Sequence, residues 1–113
     1  MVKVGDFVKL WIDDVRPAPK GYAWAKSVNE AIEKICVREV LCATALRHSK
    51  IIELIDIDHD AGDYTSDGGD YIKLLDWLEE TGRNYPIKIH SMNPVGVENM
   101  RRIIQRNKWI EIK

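Results

Sequence analysis

The chain has 113 residues, 45 % of them hydrophobic, with 17 basic and 18 acidic side chains and a net charge of −1. That length suits a single domain, residues 1–113, with a modest core. The balanced charge excludes a grip along long nucleic acid, which needs many cationic contacts, and no apolar run approaches the ~20 residues of a membrane span.

Met1 to Lys9 lacks the apolar stretch of a signal peptide. Cys36 and Cys42 stand in no metal-binding spacing and read as reduced core thiols. These features predict a cytoplasmic protein. The oligomeric state is left open.

Phe7 to Ile12 is apolar except for Lys9 and reads as a first strand, stopping at Asp13-Asp14. Val15 to Gly21 holds two prolines and a glycine and reads as a loop. Tyr22 to Lys26 is a short second strand. Ser27 with Glu30 three residues on forms a capping box, and Val28, Ala31, Ile32, Ile35 and Cys36 continue at helical spacing through Leu41, Ala45 and Leu46. Ile51 to Ile57 is a buried strand, followed by Asp58-His59-Asp60 and a polar loop, Ala61 to Gly69. Asp67 is placed to cap a second helix with Tyr71, Leu74, Leu75 and Leu78 inside, closed by Gly82. Pro86 to Ile89 is a fourth strand. Asn93-Pro94 opens a third helix, with Val97, Met100 and Ile104 inward. Trp109 to Ile112 is a last strand. Trp11, Trp24, Trp77 and Tyr22 read as core, and His48 as structural, near a helix end.

Strands separated by helices imply parallel pairing and a doubly wound sheet. Three strands end in polar clusters: Asp13-Asp14, Asp58-His59-Asp60, and His90-Ser91 with Asn93. Parallel strands put the three clusters on one edge, where open α/β sheets bind ligands. Asp13, Asp14 and Asp58 repel one another, which a hard divalent cation such as Mg²⁺ or Mn²⁺ would relieve. His59 and His90 suit acid–base work near neutral pH, with Asp58 or Asp60 fixing a tautomer. Arg16, Ser91 and Asn93, beside a helix N-terminus, form a phosphate-holding set. The alternatives on the residues alone are an inert acidic loop, satisfied histidines, and a transition-metal site of histidines and carboxylates.

This order of clusters resembles a response-regulator receiver domain: Asp13-Asp14 after strand one, Asp58 after strand three, Ser91 after strand four and Lys113 after strand five. The loop from Arg16 to Gly21 stands where a receiver has its first helix, and the final helix is missing. His59 and His90 are foreign to receivers. A closer resemblance is to the cyclic-phosphate processing receiver domains, carried by Leu10 to Pro17, Trp24 to Ile32, Asp58-His59-Asp60 and His90 to Gly96. The resemblance implies a flavodoxin-like, receiver-like three-layer α/β sandwich with a mainly parallel sheet of about five strands. It implies a phosphodiesterase-like hydrolase opening a cyclic phosphate, on a small cyclic nucleotide or an RNA 2′,3′-cyclic end. His59, His90, Asp58 and Asp60 would then be catalytic, Arg16, Ser91 and Asn93 would hold phosphate, and Asp13, Asp14 and Asp58 would hold the cation. The alternatives are a receiver-like module that binds such a ligand without turnover, and a phospho-accepting receiver using Asp58.

Overall fold

A computed structural model describes residues 7–44 and 51–113. Among them β1 (Phe7–Ile12), β2 (Tyr22–Ala25), β3 (Ile51–Ile57), β4 (Ile87–Ile89) and β5 (Glu111–Ile112) form one sheet in the order β2-β1-β3-β4-β5, every pair parallel. The connections are a loop from β1 to β2, then α1 (Val28–Thr44), α2 (Ile72–Glu80) and α3 (Pro94–Asn107) between successive strands. The expected receiver-like arrangement is therefore present. No helix follows β5 in these residues.

The layering differs from the three layers expected. The three helical crossovers all run the same way across the sheet, from β2 over β1 to β3, then to β4 and β5. Crossovers of one hand and one direction leave their helices on one face. The core agrees. Leu10, Ile12, Ala25, Ile55, Ile57 and Ile87 from the sheet join Val28, Ala31 and Ile35 of α1, Leu74, Leu75 and Leu78 of α2, and Met100, Ile103 and Ile104 of α3 in one cluster. Helices on the other face would have come from the β1–β2 connection, which is a loop, and from a helix after β5.

Alternation along each strand puts the intervening residues on the other face. The register aligns Lys9 with Tyr22 and Leu54, and Trp11 with Trp24 and Asp56, and Asp56 in turn with Lys88. None of these seven belongs to the core cluster. Trp11, Tyr22 and Trp24 are thus not core, contrary to the pattern reading, because no described helix covers them. Trp77 does pack against the core.

Local chemistry sets the helix ends. Ser27 Oγ accepts from Glu30 N–H at 3.0 Å, and the Glu30 carboxylate accepts from Lys26 N–H at 2.7 Å. α1 runs unbroken to Thr44, and Ala45, Leu46 and His48 lie outside the described residues. Asp67 does not cap α2, whose N-cap, Tyr71, makes no side-chain bond. Asp67 instead accepts from Ser27 Oγ at 2.5 Å and Asn29 Nδ2 at 3.0 Å, tying its loop to the start of α1. Those two donors hold its carboxyl below the ordinary aspartate range. α2 closes as expected: Gly82, at φ 69°, lets Arg83 N–H reach Leu78 O at 2.9 Å, a Schellman closure. Asn93 caps α3 by accepting from Gly96 N–H at 3.0 Å, with Pro94 first in the helix. Trp109 precedes β5 and is buried in the core. Among the described residues no helix is long and apolar enough to cross a membrane.

Candidate functional site

The parallel register brings the three polar clusters to one edge. Asp58 N–H donates to Ile12 O and His90 N–H to Ile57 O, each at 2.9 Å, so the strand ends are laced together just where the clusters begin. One carboxylate oxygen from each of Asp13, Asp14 and Asp58 lies within 4.8 Å of the others.

Asp13 has no solvent-exposed surface. Its Oδ1 accepts from Val15 N–H at 3.0 Å and Arg16 N–H at 2.9 Å, a turn that a short carboxylate forms with its own chain. Burial works against its charge, but those two donors and the His90 ring outweigh it and hold the carboxyl below its ordinary range. Two indoles pin the same loop: Trp24 Nε1 donates to Asp13 O at 2.7 Å and Trp11 Nε1 to Arg16 O at 2.8 Å.

Asp14 behaves in the opposite way. Burial first, then the charges of Asp13 and Asp58, push its carboxyl up. Gly62, at φ 56°, passes so close that a Cβ there would collide with the Asp14 carboxylate. Only glycine combines that backbone angle with that approach. The donor set therefore fits a hard divalent cation: three carboxylates, converging, with the repulsion a cation would remove. In the absence of cation, Asp14→Asn should raise the melting temperature, because it deletes one of three repelling charges. The same variant should lose most of any rise that added Mg²⁺ gives the wild type. Thermal melts with and without Mg²⁺ measure both.

His90 is held on three sides. Its Nδ1 faces Asp56 Oδ1 at 2.6 Å and its Nε2 faces Asp13 Oδ2 at 2.9 Å. Its ring stacks on Trp11 with centroids 3.8 Å apart and planes 4° from parallel. Two carboxylate acceptors are both satisfied when both ring nitrogens carry hydrogen. Arg16 Nη1 donates to His90 O at 2.9 Å and lies 3.8 Å from Asp13 Oδ2.

His59 is held on one side only. Asp58 Oδ1 accepts its N–H at 2.7 Å, and its Nδ1 meets Asp60 Oδ1 at 2.8 Å. Asn93 Nδ2 lies 3.4 Å from that Nδ1 and 3.5 Å from Asp60 Oδ1. Its Nε2 has no hydrogen bond among the described residues. The ring lies on the first turn of α3, so close to Gly96 that a Cβ there would strike it.

Of the remaining predicted residues, Ser91 Oγ accepts from Asn93 N–H at 3.1 Å, and Asn93 serves as helix cap and neighbour of His59. Arg16 keeps nearly half of its side-chain surface in solvent, 48 %. Lys113 is exposed and makes no ion pair among the described residues. Three supporting residues escape sequence reasoning. Asp56 has a legible signal, a carboxylate inside the apolar run Ile51 to Ile57. Trp11 as a stacking partner has none, since strand patterning treats it as core. Tyr71 is fully buried, donates its hydroxyl to Lys26 O at 2.7 Å and its N–H to His59 O at 3.0 Å. Burial, then the charges of Asp14, Asp13 and Asp58, push its hydroxyl up and keep it protonated. A separate cavity of about 250 Å³ between α1 and the sheet, lined by Val8, Leu10, Ala23 and Val37 among others, shares no residue with this site.

A parallel receiver-like sheet with an acidic cluster at its strand ends, and histidines added to it, defines the class: a receiver-derived α/β domain. The sequence model of one such family, the cyclic-phosphate processing receiver domains, matches residues 8–106. The chain belongs to that family. No curated protein and no solved structure matches it.

Proposed function

We propose that the domain hydrolyses a cyclic phosphate, by attack of water at phosphorus and expulsion of one ester oxygen. The observation that carries this reading is the pair of histidines at one sheet edge, each oriented by aspartate, beside three converging carboxylates. His59 is the base: Asp60 fixes its Nδ1, leaving Nε2 to take the proton from water. His90, its ring nitrogens facing Asp56 and Asp13, is the acid that gives a proton to the leaving oxygen. Arg16, with Ser91 and Asn93 at the positive end of the α3 dipole, faces the charge that builds on the phosphate. A divalent cation held by Asp13, Asp14 and Asp58 would neutralise phosphate oxygens.

The test is incubation with a mixture of 2′,3′- and 3′,5′-cyclic nucleotides and mass spectrometry of the products. The expected result is a nucleoside monophosphate heavier by one water. His59→Ala should reduce its formation by about 100- to 10,000-fold, the range for loss of a general acid or base. EDTA treatment followed by Mg²⁺ return separates a cation requirement from the histidine chemistry. A second reading, capture of the ligand without turnover, is favoured by the occupation of both His90 nitrogens. Recovery of intact, protein-retained cyclic nucleotide from wild type would establish it and sink the hydrolase.

A further inference from the structure

The face of the sheet that no described helix covers carries an unusual set of side chains. The register lines up Trp11 with Trp24, and Lys9 with Tyr22, on adjacent strands. Tyr22 meets Trp11 edge-on, with centroids 5.8 Å apart and planes at 83°. Lys9 Nζ stands 5.6 Å from the Tyr22 ring centroid, and Lys26 Nζ 4.6 Å from that of Trp24. Lys88 shares the face, opposite Asp56. The carboxylates that alternation assigns to this face are Asp56 and, just past β1 and β3, Asp13 and Asp58. All three are buried, and Asp56 and Asp13 are bonded to His90. Glu53, at the register shift between the paired positions Ile52 and Leu54, is exposed beside this face. The charges that stand over the rings of Tyr22 and Trp24 are nonetheless both positive, in a chain whose net charge is −1.

Aromatic rings on an open sheet, interleaved with lysines, fit one ligand chemistry: bases to stack and phosphates between them. The platform is also continuous with the site. Trp11 stacks on His90, and His90 reaches Asp13. From the Lys9–Tyr22 row to Asp13 is four residues along β1, roughly 13 Å at the rise of a strand. We propose that this face holds the last two or three nucleotides of a single-stranded RNA, stacked on Tyr22 and Trp24, and presents its 3′ end to the acidic edge. The proposal rests on the cyclic-phosphate reading and narrows it to RNA termini. It agrees with the balanced charge, since a short single-stranded end needs few cations where a long duplex needs many.

The test is fluorescence anisotropy with a 5′-labelled RNA hexamer bearing a 3′-terminal phosphate, a blunt duplex of the same sequence, and a labelled mononucleotide. The single strand should bind more tightly than either. Tyr22→Ala should weaken it by about 5- to 150-fold, the range for loss of one stacked base, while Tyr22→Phe, which keeps the ring, should bind like wild type. Lys9→Glu with Lys88→Glu should flatten the salt dependence. Anisotropy reads binding of the 3′-phosphate hexamer with no turnover, so that failure of hydrolysis and failure of the platform are read separately. Equal binding of hexamer and duplex, or equal behaviour of Tyr22→Ala and Tyr22→Phe, overturns the proposal. So does a dimer in sedimentation that Tyr22→Ala abolishes with no RNA bound, which would make the face a contact between two copies.

Discussion

Gly96→Ala should abolish most turnover of a cyclic nucleotide without unfolding the domain. In an ordinary exposed helix position the change would stabilise by about 1 kcal/mol, since alanine is the better helix former. Here the added methyl group meets the Cγ, Cδ2 and Nδ1 of His59. These atoms are the root of the imidazole, so the ring cannot swing its tip aside and stay in place. It must leave Asp60, which now holds Nδ1. The loss should approach that of His59→Ala, about 100- to 10,000-fold, although no catalytic group is removed. Steady-state kinetics and a thermal melt on the same preparation check both halves. Full activity in Gly96→Ala would mean that the position of His59 over α3 is irrelevant to the chemistry.

Asp56→Ala should have the largest effect on stability. Asp56 is 3 % exposed, inside β3, and its partner His90 is also enclosed, by Trp11 and Asp13. Removing one member of a buried ion pair strands the other, at a typical cost of about 3 to 5 kcal/mol. A domain of this size loses roughly 4 to 8 °C of melting temperature per kcal/mol. A drop of more than 10 °C is therefore expected, with His90 loosened and turnover reduced. Acid should act on the same network through Asp13. Its carboxyl titrates lower in the folded chain than in the unfolded one. The stability it contributes is fully present above the ordinary aspartate range near 4 and is lost as pH falls through the folded value below it. Asp14, raised instead, disfavours folding at neutral pH and is relieved as pH falls toward 4. The two contributions oppose each other, and Asp13→Asn and Asp14→Asn melted at pH 4 and pH 7 should separate them.

Much of this arrangement is legible in the sequence because it follows from alternation and punctuation. β1 and β3 are apolar runs stopped by aspartates, and a strand with one parallel neighbour on each side ends where its polar residues begin. Ser27, Gly82 and Asn93-Pro94 mark helix ends by local chemistry alone, and the structure places each as expected. Asp67 shows the limit. A capping residue near a helix start was available, but its loop turned toward α1 and found Ser27 and Asn29. The aromatic face shows another. Whether Trp11, Tyr22 and Trp24 are core depends on what covers them, and that depends on the direction of every crossover. Asp56 lay in plain view, yet its role required the ring of His90, from a strand that is far away in sequence and adjacent in space. The convergence of Asp13, Asp14 and Asp58 was readable because it needed only parallel strands.

The hold on His90 has a consequence for how the sheet comes apart. The imidazole belongs to the end of β4, Asp56 to β3, and Asp13 to the end of β1. One ring thus fastens three neighbouring strands at the end where strands ordinarily fray. β4 has three residues, so backbone bonds alone hold it to its neighbours over a short length. Tied in this manner, it can open only if the strands beside it let go at the same moment. The edge that carries the three polar clusters then opens as part of the global transition, and the low-cost local openings common at binding sites fall to the loops around it.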